Sequence, residues 1–187
     1  LEWKNSNRFT STQRESNQTI FMIGNQTCSH SSNEYLPLKV LESHLSYGMS
    51  SKLFKLFREN NGITYDIGVY NPIRKQNSPF LIYLSVSNKN AILAFNILIK
   101  LWKNLLTSSI NENELNFAKV KLKSSFLLGN QTLDEILQRR IQLIGDNLDP
   151  YYDEVFLKKI EEIIAEDIFK VTKKFLSKPF LSLYGNR

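Results

Sequence analysis

The chain has 187 residues, 42% of them hydrophobic and 22% charged, with a net charge of +6. That length fits one domain with a sizeable core, and no apolar run reaches the roughly 20 residues of a membrane-spanning helix. A single cysteine excludes an intrachain disulfide and any cysteine metal cluster, and fits a reducing, cytoplasmic setting.

Residues 1–16 are polar apart from Trp3 and Phe9 and read as a linker arm, with residues 17–187 as a single domain. The first residue is Leu1, so the chain reads as a piece of a longer protein. Gln18 to Gly24 has the apolar content of a central strand. Glu34 to Leu45 predicts a helix, with Tyr35, Leu38, Leu41 and Leu45 at helical spacing and Pro37 in the first turn, where its missing N–H is harmless. Tyr65 to Tyr70 and Phe80 to Val86 predict two strands pairing as an antiparallel hairpin.

The pattern then turns helical. Ala91, Phe95, Leu98, Trp102 and Leu105 form one face of a long helix, widened by Ile92, Ile99 and Leu106. Asn111 with Glu114 resembles a capping box opening a second helix, with Leu115, Ala118, Leu122 and Phe126 inward and Lys119, Lys121 and Lys123 outward. Thr132-Leu-Asp-Glu135 is a capping box whose helix carries Leu133, Ile136, Leu137, Ile141 and Ile144 and ends at Gly145. A short helix is expected over Asp153 to Ile160. Glu166-Asp167 opens a last helix, with Ala165 at the expected cap position, and Phe180 to Tyr184 is a final strand. The order defines an α+β fold, a mostly antiparallel sheet packed on one face by helices.

Most catalytic chemistries find no support. His30 lies in a polar loop and His44 near a helix end, where an imidazolium would be stabilised by the dipole; neither has a Glu at metal-motif spacing. Cys28 and His30 are two residues apart, but no third residue orients them as a nucleophile and base. The scattered lysines accompany no RNA- or DNA-binding motif, so neither nucleic acid nor membrane is an expected partner. Three Asn-Xaa-Thr sequons, at Asn17, Asn25 and Asn130, are what an Asn-rich chain produces by chance.

The most informative stretch is Ser46 to Tyr65. Gly48 permits a sharp turn, Ser50 or Ser51 caps a short helix with Leu53, Phe54, Leu56 and Phe57 as its apolar face, and Asn60-Asn61-Gly62 ends it. Arg58 falls in the last turn and Tyr65 opens the next strand, so one corner carries a guanidinium and a phenol.

Gly48-Met-Ser-Ser-Lys-Leu-Phe54, followed by Phe57-Arg-Glu-Asn-Asn-Gly-Ile-Thr-Tyr65, resembles the second, non-zinc-binding domain of insulinase/pitrilysin-type zinc peptidases, the group of the mitochondrial and bacterial processing peptidases. Lys52 replaces the more usual Arg, and the likeness runs from about Gln18 to Tyr184. The resemblance implies a metal-free, substrate-clamping domain that is inactive alone. It would complete the active-site chamber of an N-terminal zinc-binding domain, on the same or a paired chain, in a parent that dimerises and cleaves peptides. It also implies that Arg58 holds substrate backbone while Tyr65 donates to the scissile carbonyl as it becomes an oxyanion. The Gly-rich insertion of the non-catalytic processing-peptidase subunit is missing before Gly48, which argues against that subunit type, while the presence of the Arg58/Tyr65 pair favours a working peptidase assembly. The alternative is a structural or assembly module on the same fold without peptidase activity.

Overall fold

The computed structural model describes residues 8–145 and 147–185; of Tyr65 it describes the backbone only, and Trp3 lies outside the described residues. A five-stranded sheet runs in the order β1-β5-β2-β4-β3, from β1 (Phe9–Gln13), β2 (Gln18–Gln26), β3 (Thr64–Tyr70), β4 (Pro79–Ser87) and β5 (Phe180–Gly185). The helices are α1 (Tyr35–Ser46), α2 (Lys52–Phe54), α3 (Ala91–Thr107), α4 (Glu112–Leu128), α5 (Leu133–Gly145), α6 (Tyr152–Glu162) and α7 (Ala165–Leu176). The pairings are antiparallel except β1 with β5. The fold is the expected α+β class, with element limits within a residue or two of those read from the sequence.

Strand alternation decides which side is covered. Thr19, Phe21 and Ile23 on β2 and Phe80, Ile82, Leu84 and Val86 on β4 are buried, facing Leu38, Leu41 and Leu45 of α1, Leu98 and Trp102 of α3, and Val171 and Leu176 of α7. Polar ties close the helical layer: the Trp102 indole N–H donates to the Leu176 carbonyl at 3.1 Å, and the Ser43 hydroxyl to the Ala118 carbonyl at 2.8 Å. Gly24 lets β2 and β4 approach, because a Cβ there would stand 2.0 Å from the Phe80 carbonyl oxygen.

Within the polar N-terminal segment read as an arm, Phe9–Gln13 is a strand, registered Phe9 to Leu181 through Gln13 to Gly185. Its partner lies at the other end of the chain, and four of its five residues are exposed, so no apolar period announces it.

Three helices depart from the simple apolar-in, charge-out facing. On α5, Leu133, Leu137, Ile141 and Ile144 point outward, 57–85% exposed, while Leu143 is buried. The helix is held by its other face, where Arg139 grips Asp153 of α6 through Nε–Oδ2 at 3.0 Å and Nη2–Oδ1 at 2.9 Å. On α4, Lys119 is buried rather than solvated, its ammonium donating to the Glu161 carbonyl at 2.9 Å. Its aliphatic stem fills the α4–α6 contact while the charge keeps a partner. Ile92, expected on the inward face of α3, is exposed.

The caps follow local chemistry. The Thr132 N–H donates to Glu135 Oε2 at 2.9 Å and the Glu135 N–H to the Thr132 hydroxyl at 3.2 Å, completing that box. Asn111 Oδ1 accepts the Glu114 N–H at 2.9 Å, but the Glu114 carboxylate is engaged by Lys52 instead of reaching back. The α7 cap residue is Ile164, not Ala165; it has no side-chain acceptor, and Asp167 at N3 accepts the Ile164 N–H at 3.1 Å, making the return half of a capping box.

Candidate functional site

The corner leading into β3 is built from two glycine turns around a short helix. Gly48 takes φ +73° and Gly62 φ +59°, conformations costly for any residue with a Cβ. The Ser51 hydroxyl accepts the Phe54 N–H at 3.4 Å, a long cap for α2. After one α turn the chain widens into a π-helical turn over Lys55–Glu59, closed by the Asn60 N–H on the Lys55 carbonyl at 2.9 Å. Such widened turns are uncommon and concentrate at functional sites. Fully buried Leu53 and Phe57 anchor it, and the Asn61 amide donates to the Leu56 carbonyl at 2.7 Å. The Ile63 N–H then reaches the Phe57 carbonyl at 2.9 Å.

Arg58 is exposed on this turn, its guanidinium 5.2 Å from the Phe54 ring centroid, with no ion pair to a described residue. Stacking on Phe54 steadies the fork without consuming its donors. Tyr65 lies where β3 slips register: Thr64 opposes Val86 and Asp66 opposes Ser85, so Tyr65 is the inserted residue of a bulge. The Thr64 hydroxyl lies 2.6 Å from the Ser85 carbonyl and 2.9 Å from the Asp66 carbonyl, pinning the bulge. The structure thus places Arg58 and Tyr65 on either side of the Gly62 turn; the side chain of Tyr65, and any contact it makes, is outside the described residues.

A second part of the site escaped the sequence reading. Among the described residues, none forms a layer over the sheet face opposite the helices. Ile20, Met22, Leu81, Tyr83, Tyr70, Phe180 and Tyr184 occupy it, with Met22, Tyr70, Phe180 and Tyr184 each 43–51% exposed. Tyr83 lies across Gly68, where a Cβ would meet its hydroxyl at 2.7 Å. The period-2 alternation of large residues on both strand faces was the signal for it.

His30 and Cys28 lie in the expected loop and His44 near the end of α1. His30 is buried, its Nδ1 donating to the Arg74 carbonyl at 2.6 Å and its Nε2 without a partner among the described residues. Cys28 is buried, and that burial pushes its thiol pKa up, away from a thiolate nucleophile. His44 corrects the expected stabilised imidazolium: burial pushes its pKa down to about 4, Lys52 and Lys121 push the same way, and only Glu114 opposes them. Desolvation outweighs the helix-end dipole here. Among the described residues no group of three His, Cys, Asp or Glu side chains is arranged to hold a metal ion.

These features define an α+β domain with a guanidinium-bearing corner and an open aromatic sheet face. Residues 4–122 match the family model of the peptidase M16 inactive domain, and the chain belongs to that family. An uncharacterized zinc protease of Rickettsia felis is 30% identical over 133 residues, which is 70% of this chain and 31% of that protein. The β subunit of the mitochondrial processing peptidase of Saccharomyces cerevisiae is 33% identical over 82 residues, 42% of this chain and 17% of that subunit. The crystal structure of a peptidase M16 inactive domain from Pseudomonas fluorescens superimposes with a TM-score of 0.85 at 19% identity, covering 96% of this chain and 43% of that one. The chain spans about a third to two fifths of the length of the zinc-protease relatives it matches.

Proposed function

We propose that this domain is the metal-free, substrate-clamping part of a zinc metallopeptidase assembly. It is inactive alone and completes the peptide chamber of an N-terminal zinc-binding domain on the same or a paired chain, in a parent that dimerises. The observation carrying this reading is the open sheet face, where Met22, Tyr70, Phe180 and Tyr184 are exposed on the same sheet whose edge strand β3 starts at the corner holding Arg58 and Tyr65. An apolar and aromatic floor suits varied peptide side chains, while an Arg fork grips backbone carbonyls or a carboxylate. Zinc, in this reading, is held by the N-terminal domain and supplies the activated water. Tyr65 supplies a neutral donor for the developing oxyanion, a contact worth roughly 3 kcal/mol when removed.

The test is peptide cleavage by the intact assembly, with and without chelator, for wild type, Arg58→Ala and Tyr65→Phe. Chelator-sensitive cleavage that falls about a hundredfold in Tyr65→Phe, with Arg58→Ala chiefly raising KM, is the expected result. Cleavage untouched by either substitution refutes the assigned roles.

A second reading, an assembly module without peptidase function, is favoured by the outward apolar stripe of α5. It predicts a stable complex between the two domains with no cleavage, and a partner domain lacking a His-Xaa-Xaa-Glu-His motif.

A further inference from the structure

The helical layer, on the side of the sheet away from the open face, contains a cleft of about 660 Å³ bounded by α1, α2, α3, α7 and the start of α4. That volume is in the range of small-ligand sites, roughly 300–1,000 Å³. The fold leaves it because α2 is a single turn and the loop Ser108-Ser109-Ile110 carries the chain from α3 to α4 without filling the gap between α1 and α7.

The lining is divided by polarity. Leu41, Leu56, Ile97, Leu101, Leu105 and Ile168 supply an aliphatic floor from four elements. Lys52, Lys100, His44 and Glu114 supply a charged and polar margin. Its charges are one-sided. Glu114, the one carboxylate among the lining residues, is already bonded to Lys52 at 3.1 Å. Lys100 is exposed and has no ion pair to a described residue. Lys55 and Lys121 stand nearby, close enough that Lys55 disfavours the charged form of Lys121 and Lys121 that of His44. The pocket therefore presents surplus positive charge above an apolar floor.

We propose that this cleft binds an amphipathic anion with a long unbranched tail, of the class of long-chain carboxylates, with the tail along the half-buried Leu56, Ile97 and Leu105 and the head at Lys100. A cationic amphiphile meets like charge at the margin. A compact polyanion leaves the aliphatic floor wet. A neutral alcohol gains the floor but not the lysines, so it binds more weakly than the carboxylate of equal length. The cleft opens on the helical side of the corner, whose Lys52, Leu56 and Asn61 line it, and not on the open sheet face; its occupancy is read by a binding assay that does not require peptide cleavage.

The test is titration calorimetry of the protein with dodecanoate below its micellar concentration, beside dodecanol and dodecyltrimethylammonium. One saturable site for dodecanoate is expected, with at least about tenfold weaker binding of the cationic probe. Lys100→Glu weakens dodecanoate binding about tenfold at low salt and leaves the urea midpoint unchanged, because Lys100 is exposed. Leu56→Gln, on the floor, weakens dodecanoate and dodecanol alike. Equal binding of all three probes, binding indifferent to Lys100→Glu, or no saturable site overturns the proposal. So does a self-association in sedimentation that dodecanoate fails to disturb and that Leu56→Gln abolishes, which would assign the cleft to a second copy of the chain.

Discussion

Acidification should weaken this fold through one identifiable residue, His44. Burial holds its pKa near about 4, against an ordinary value of 6.5. Between those values the unfolded chain binds a proton that the folded chain refuses, so stability is complete above about pH 6.5 and is lost as pH falls toward 4. At about 1.4 kcal/mol per pH unit the full span gives roughly 3 kcal/mol, and partial solvent access reduces this to on the order of 2 kcal/mol. Glu114 acts in the same direction at lower pH. Partial burial works to raise its pKa, but Lys52 and His44 hold the carboxyl below its usual range. The assay is urea unfolding of wild type and His44→Gln between about pH 7.5 and 4.5, which spans most of that window. The Gln variant cannot titrate, so the difference between the two stability curves isolates His44. Wild type should lose about 2 kcal/mol more than the variant, and the His44 ring protons should titrate near pH 4 in the folded state. Parallel curves, or a wild type that gains stability on acidification, would refute the burial argument and restore the dipole-stabilised imidazolium.

Two further outcomes follow from packing. Gly24→Ala should cost at least about 3 kcal/mol in thermal or urea unfolding, because the new methyl meets the Phe80 carbonyl of the paired strand, which cannot rotate aside; a loss under about 1 kcal/mol would show that β2 and β4 separate easily there. The double substitution Leu137→Gln and Ile141→Gln should change the domain's own stability by less than about 0.5 kcal/mol each, since both side chains are already in water. If α5 is an assembly surface, the same pair should abolish co-purification with the zinc-binding domain; full retention would remove α5 from the interface.

The parts legible in the sequence are those whose cause is local. The strong apolar periods of α1, α3, α7, β2 and β4, the Thr132–Glu135 box and the glycines at 48 and 62 need only near neighbours to act, and each forms as expected. What was not legible depends on partners distant in sequence. Strand β1 exists because Leu181 to Gly185 lies beside it, not because Phe-Thr-Ser-Thr-Gln is strongly strand-forming. The protonation of His44 depends on α4 and Lys52 arriving over the end of α1. The facing of α5 does not follow from its apolar stripe, which is sound as a helical pattern but has nothing within the described residues to bury against, while Leu143 and the Arg139–Asp153 pair bind the other side. A hydrophobic stripe reports that a helix has a partner; it does not report that the partner is in the same domain.

The Arg58–Tyr65 corner shows why a functional site is the hardest part to derive from periodicity. The π-helical turn at Lys55–Glu59 and the bulge at Tyr65 each add one residue to a regular element, on either side of Gly62. Either insertion alone would put the following residues out of phase with the core. Here the first is absorbed because Leu53 and Phe57 keep their four-residue separation and both remain buried. The second is absorbed because Thr64 ties the extra residue back to Ser85 and Asp66. Packing is therefore preserved while backbone geometry changes where Arg58 and Tyr65 reside. A plain turn has no need of two compensated irregularities within ten residues; under the proposed function, they are what sets the backbone positions of Arg58 and Tyr65.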